Sequence, residues 1–265
     1  MPVRLLAYEE DFPSRLTKSA PYNSSSGSKN QTNNRIAHGQ KTKTTIPNPP
    51  KYFVRRNHLN RLIEEMLEKF KNVLILGRSG TGKTSLATDF CRTHQTNTLW
   101  INLTFSDKRL SNFLNHFSDE SDKLRKKIKS LKKLNNFTRL FEECFLLLAE
   151  ETRRDQNLIV LDNLHKIYEA DWFQDFFRSV VYSISDNLQF IMLSRSNPPL
   201  PTWRFRSKQM LGVIDERTLL FTQKEAIELL TTCKFDMKIG LQLYEQSNGK
   251  IGRFSKLIES RLGDT

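Results

Sequence analysis

Eight consecutive residues carry the clearest chemistry in this chain of 265 residues. Gly77-Arg78-Ser79-Gly80-Thr81-Gly82-Lys83-Thr84 fit the pattern GxxxxGK[ST] in full. Glycines at these positions let the backbone wrap so that successive N–H groups point inward at phosphate oxygens. Such a loop gathers Ser79, Gly80, Thr81, Gly82, Lys83, Thr84 and Ser85 around a nucleotide tail. Lys83 is expected to reach the β- and γ-phosphates, and Thr84 to offer its hydroxyl to Mg²⁺. About 80 residues further on, LIVLD ends in Asp162, a carboxylate suited to holding Mg²⁺ through a water. The next residue is Asn163, where most such ATPases place an acid that polarises the attacking water. An amide cannot take that proton. Hydrolysis is then slow, or another group orients water, or the protein works mainly as a nucleotide-bound switch; Asn163 as a helix cap is the plain alternative. Arg195 ends the segment FIMLSR and is placed either to reach a γ-phosphate or to serve as a surface arginine.

These residues need a scaffold, and the apolar patterning supplies one. VLIL (73–76), TLWINL (98–103), LIVL (158–161) and FIML (190–193) read as short buried strands. Helical patterns surround them. Leu59, Leu62, Ile63, Met66, Leu67 and Phe70 form one stripe, with Asn57 available as a cap. Residues 85–91, 107–151 and 172–182 form others, and three small helices are expected within 222–262 after a short strand near 210–214. Apolar strands alternating with helices predict an α/β fold, a three-layer P-loop NTPase core with a parallel sheet, followed by a small helical lid. The expected divisions are a disordered basic tail over 1–50, the core over 51–200 and the lid over 201–265.

Charge sharpens the picture. Lys and Arg number 42 against 29 Asp and Glu, a net +13. The Ser/Asn/Lys-rich stretch before residue 51 holds a net +4, and 123–133 holds seven basic residues and no acid, so little excess is left elsewhere. That distribution excludes a histone-like coat and suggests two basic attachments on an ordinary globular protein. Within 123–133, Leu124, Ile128 and Leu131 keep helical spacing beneath a Lys/Arg face. This face is either merely solvated or a salt-sensitive contact for a nucleic-acid backbone. No apolar run is long enough to cross a membrane, and the N-terminus has no signal-peptide core. Cys91, Cys144 and Cys233 are odd in number and widely separated, which predicts buried thiols in a reducing compartment. The five histidines show no pairing at metal-ligand spacing. A cytoplasmic protein follows.

Several ordered blocks resemble a known group. FIMLSRSNPPLPTWRFRSKQMLGVIDERTLLFTQKEAIELL (190–230) resembles the nucleotide-binding region of MalT-like regulators, in the STAND class of signal-transducing ATPases with numerous domains. LIVLDNLHKI (158–167) is similar to their "LVLDDYH" segment, with Asn163 in place of the second Asp. TTIPNPPKYFVRRNHLNRL (44–62) resembles their lead-in and makes Arg56 the nucleotide-contacting arginine by that likeness. The resemblance implies an ATP/ADP switch, with ADP held between core and lid at rest and ATP opening the module for assembly. Those regulators continue into a sensor and a DNA-binding domain. If this chain is complete, partner proteins or the tail must supply those functions; a fragment of a longer protein is the other explanation. SNGKIGRFSKLIES (247–260) resembles instead the lid of AAA+ transposition-helper and replication-initiator ATPases, where Arg253 would sense nucleotide and homo-oligomers would assemble on DNA.

Overall fold

A computed structural model of the protein describes residues 46–94, 97–118, 122–131, 136–151, 157–182 and 187–263. Residues 1–45 of the expected tail, together with Lys132 and Lys133 of the basic run, lie outside the described residues.

Five parallel strands form one sheet in the order β2-β3-β4-β1-β5. They are β1 (Asn72–Leu76), β2 (Asn97–Asn102), β3 (Asn157–Asp162), β4 (Leu188–Ser194) and β5 (Gly212–Ile214). Every residue of β3 and β4 is buried, as expected for strands covered on both faces. The two-residue period divides each strand between two cores. Val73, Ile75, Leu158, Val160, Ile191 and Leu193 face α1 (Asn57–Phe70) and α2 (Lys83–His94). Leu74, Ile159, Leu161, Phe190 and Met192 face the opposite layer. That layer holds α3 (Leu110–Ser118), α4 (Asp122–Leu131), α5 (Phe137–Glu151) and α6 (Phe173–Val181). Its centre is aromatic, with Phe113, Phe141, Trp172 and Phe176 in mutual ring contact.

In α1, Leu59, Ile63 and Leu67 recur every four residues and are buried, which places the helix against the sheet. The cap position belongs to Arg56 and not to Asn57, and no side chain caps this helix. Among the described residues of 107–151, the helical pattern is carried by three α-helices, α3 to α5. They are preceded by a 3-10 turn, Phe105–Lys108, whose capping box joins Thr104 to Asp107. Cys91 and Cys144 are buried, whereas Cys233 is only half-buried.

The sheet extends beyond residue 200. α7 (Thr202–Ser207) leads into β5, which pairs with β1 from Val73↔Gly212 to Ile75↔Ile214. The expected boundary at 200 therefore falls between two strands of one sheet. Helices α8 (Gln223–Cys233), α9 (Met237–Ser247) and α10 (Ile251–Gly263) have a core of their own: Phe221, Leu229, Leu230, Leu243, Phe254 and Ile258. Val54, from the segment before α1, is buried in that same cluster.

Candidate functional site

The loop joining β1 to α2 lies at the carboxyl edge of the sheet, where ligands bind in open α/β folds. Gly77 donates its N–H to Ser194 O at 3.1 Å, tying the loop to the end of β4. Gly80 and Gly82 hold φ of +81° and +87°, which explains glycine at both positions. Thr81 is buried inside the loop and donates to Arg78 O at 2.9 Å. Lys83 opens α2 and is itself buried. Its Nζ donates to Gly77 O, to Arg78 O at 3.0 Å and to Thr81 Oγ1 at 3.4 Å. Desolvation lowers the Lys83 pKa from its ordinary value, and Arg195 adds to that, while Asp162 and Glu216 oppose it.

A cleft of about 310 Å³ opens above this loop, a size suited to a small ligand. Ser79, Gly80, Gly82, Lys83, Thr84 and Ser85 line it from the loop side, and Asp162, Asn163 and Arg195 from the strand ends. Of the expected site residues, the structure leaves Gly77, Thr81 and Arg253 off the lining. The first two support the loop from within. Arg253 is exposed, because Ile251, Gly252 and Ser255 take the cleft-facing side of α10 and Arg253 stands about 100° around the helix from Gly252.

Thr84 Oγ1 donates to Asp162 Oδ2 at 3.0 Å, joining the two sequence motifs. Burial pushes the Asp162 carboxyl above its usual range, against the opposing effects of Thr84 and Lys83. These two oxygens at a helix N-terminus fit Mg²⁺, which keeps several waters and is held by one or two carboxylates together with phosphate oxygens. Among the described residues no group of three His, Cys, Asp or Glu could hold a metal by itself. An ion held by Thr84 and Asp162 would therefore be shared with phosphate.

Asn163 sits in the left-handed region at φ 63°, ψ 38°, which asparagine tolerates better than most residues. It occupies the cap position of the 3-10 turn Leu164–Ile167, but its side chain makes no cap bond. The Nδ2 instead donates to Asn102 Oδ1, at the end of β2, at 2.9 Å. Arg56 lines the cleft, yet its guanidinium is turned to protein. Nε donates to Glu225 Oε1 at 2.6 Å, Nη1 to Leu219 O and Nη2 to Leu220 O, both at 3.0 Å. The arginine chosen by resemblance thus joins the segment before α1 to the start of α8.

Sequence reasoning missed three features. Ile251 and Gly252 reach the phosphate loop itself, and Gly252 donates its N–H to Gly80 O at 2.7 Å. Glu216 accepts the Arg78 N–H at 3.0 Å and stands 3.7 Å from Lys250 Nζ, bridging the loop and the turn before α10. His165 also lines the cleft. Its place three residues after Asp162, in a turn at a strand end, was the available signal; a search for metal-ligand spacing passes over it.

Fold and loop geometry together define a P-loop nucleotide-binding domain. The family described as the P-loop containing dynein motor region matches residues 54–131. The HTH-type transcriptional regulator MalT of Vibrio cholerae is 26% identical over 163 residues, which is 59% of this chain and 18% of that protein. MalT of Vibrio parahaemolyticus is 26% identical over 177 residues, 64% of this chain and 19% of that protein. The matched stretch thus spans about a fifth of the length of these relatives. Among solved structures, the Aeropyrum pernix ORC1 protein in complex with DNA aligns over 81% of this chain and 60% of that one, at 15% identity and a TM-score of 0.48. AMPPCP-bound DnaA from Aquifex aeolicus aligns over 79% and 65%, at 17% identity and a TM-score of 0.43. Over residues 54–131 the chain thus matches an AAA-type P-loop family, and over a longer stretch it is similar to MalT regulators.

Proposed function

We propose that this domain is a molecular switch that binds Mg-ATP, hydrolyses it slowly and uses the bound nucleotide to control assembly with a partner protein. One observation carries the reading. The N-terminus of α10 is hydrogen-bonded to the phosphate loop through Gly252 and Gly80, so a ligand that reshapes the loop also acts on the C-terminal helices. Asn163 in place of an acid supports slow turnover, which suits a switch better than a motor. On this reading, Lys83 binds the β- and γ-phosphates, Thr84 and Asp162 hold Mg²⁺, and Arg195 reports on the γ-phosphate. Helices α8–α10 act as the lid over a core that includes β5. The MalT likeness supports a signalling or transcription-regulating role, with sensor or effector domains supplied by the partner or by further sequence.

The basic face of α4 favours a second reading, an ATPase that oligomerises on DNA. Arg125, Lys126 and Lys129 are exposed there, although Lys127 and Lys123 stand 3.4 Å and 3.3 Å from Glu143 and Glu150 of α5.

Elution size measured with ADP, with ATP and with ATP plus DNA tests both readings. A switch changes size or partner affinity with nucleotide in the absence of DNA; a strict DNA requirement supports the second reading. Lys83→Ala is expected to weaken ATP binding at least about tenfold, since it removes the cation at the β- and γ-phosphates. Unchanged binding of a fluorescent ATP analogue by that variant would exclude the site.

A further inference from the structure

The phosphate loop, the turn after Asp162 and the end of β4 meet at one residue. Ser194 is the last residue of β4 and is fully buried. Its carbonyl accepts the Gly77 N–H at 3.1 Å. Its hydroxyl is 2.8 Å from Ser196 O and 2.6 Å from the Tyr168 hydroxyl, which is itself 2.9 Å from Ser196 O. Two hydroxyl protons are thus shared among three oxygens, and the Ser196 N–H donates back to Ser194 Oγ at 3.3 Å. Arg195 lies between the two serines, so both of its chain neighbours are held by one cluster.

Tyr168 enters that cluster from the metal side of the site. It follows the 3-10 turn Leu164–Ile167, which begins at Asn163, directly after Asp162. Its ring packs against the aromatic core and stands 4.9 Å from the Phe173 ring. A phenylalanine would fill that place equally well, so packing explains an aromatic residue here but not its hydroxyl. Burial raises the pKa of this hydroxyl above the ordinary 10, which keeps it protonated, and so a donor, at physiological pH. Tyr168 is not among the residues that line the cleft, whereas Arg195 lines it with Lys83 and is near enough to depress the Lys83 pKa. The backbone between Ser194 and Ser196 fixes the point from which the Arg195 side chain reaches out. The Tyr168 hydroxyl grips that backbone from a different element.

We propose that Tyr168 is a positioning residue for Arg195. Its hydroxyl holds the chain on both sides of Arg195 and thereby sets how strongly the guanidinium favours a nucleotide with a γ-phosphate over one without. This role rests on the reading of Arg195 as the γ-phosphate reporter, and its test separates the two.

Dissociation constants for ADP and for a non-hydrolysable ATP analogue, each with Mg²⁺, are measured by competition against a fluorescent ADP analogue. The proteins are the wild type, Tyr168→Phe, Ser194→Ala, Arg195→Ala, and Tyr168→Phe combined with Arg195→Ala. Arg195→Ala is expected to lower the preference for the triphosphate at least about tenfold, the usual loss for a hydrogen bond to a charged group. Tyr168→Phe should lower it about three- to tenfold, as one hydrogen bond does, while ADP binds within about twofold of wild type. In the Arg195→Ala background the same change should move the preference by less than about twofold, because the two residues act as one unit. General loosening of the fold would instead weaken both nucleotides and persist in the double variant. Ser194→Ala strips the cluster from the other side; it should shift the preference in the same direction and takes the place of Tyr168→Phe if that variant does not fold. An unchanged preference in folded Tyr168→Phe, or in Ser194→Ala where it stands in, beside a lowered one in Arg195→Ala overturns the positioning role alone. So does an equal drop with and without Arg195. An unchanged preference in Arg195→Ala overturns the reading of Arg195 and the positioning role with it. A wild type that binds neither nucleotide overturns the site reading and everything built on it.

Discussion

At the scale of single residues, the most consequential outcome concerns arginines. Arg56, Arg195 and Arg253 all fall where a nucleotide-sensing arginine is expected, but only Arg195 lines the cleft with its guanidinium uncommitted to Glu225. Arg56 and Glu225 instead form a buried pair, with side chains 8% and 9% exposed. Removing one member of such a pair leaves the other charged and unpartnered. Arg56→Ala should therefore cost about 3–5 kcal/mol in urea unfolding, and Glu225→Gln, which keeps part of the hydrogen bonding, distinctly less. The pH dependence has a defined sign. Burial acts to raise the Glu225 pKa, but hydrogen bonds from Arg56 and Thr222 overcome it and hold the carboxyl below its ordinary 4.5. Its contribution is fully present above 4.5 and is lost as pH falls through the lower folded value. Wild type should lose stability more steeply than Glu225→Gln in that acid range. Equal slopes would show that the pair is not the source.

At the scale of elements, the contact between α10 and the phosphate loop depends on two facing glycines. A Cβ on Gly252 would stand 2.6 Å from Gly80 Cα and 2.9 Å from Gly80 O, both backbone atoms with little freedom to move. Gly252→Ala should force the helix away from the loop and cost about 1–3 kcal/mol, the usual range for overpacking. Hydrogen exchange should show faster opening over residues 222–262 while β3 and β4 stay protected. Uniform loosening of the whole domain, or none, would remove α10 as the element coupled to the loop. Gly240 serves packing of a different kind, since a Cβ there would collide with the Leu230 side chain between α8 and α9.

For the whole molecule, the charge excess concerns association more than stability. In the α4 run, Lys123 and Lys127 stand beside acids of α5, so the cationic face is smaller than seven basic residues suggest. If α4 binds DNA, changing its five described basic residues to Gln should flatten the salt dependence of affinity by about 0.9 in log–log slope per lost phosphate contact on duplex DNA. Anisotropy titrations between 50 and 200 mM salt, about the range over which such contacts are lost, measure it. Binding that ignores both salt and substitution would remove α4 from consideration. Nucleotide acts on the whole fold by mass action. Mg-ATP at 100 times its Kd should raise unfolding stability by about 2.7 kcal/mol, an increment that Lys83→Ala abolishes.

What could be read from the chain alone was local. The phosphate loop is contiguous, its glycines meet backbone demands imposed by their own dihedral angles, and four apolar runs declare strands by length and composition. The pairing of Thr84 with Asp162 was also legible, because two motifs of this kind at strand ends imply one edge of one sheet. The rest rests on contacts between distant parts of the chain. The Arg56 guanidinium is turned to protein because Glu225, 169 residues later, lies beside it. Arg253 is displaced because Gly252 fits against Gly80 and sets the rotation of α10. The short strand expected near 210–214 joins this sheet as β5 because β1 offers it an open edge. Spacing along the chain determined which residues could bind phosphate, and packing between remote segments decided which of them line the cleft.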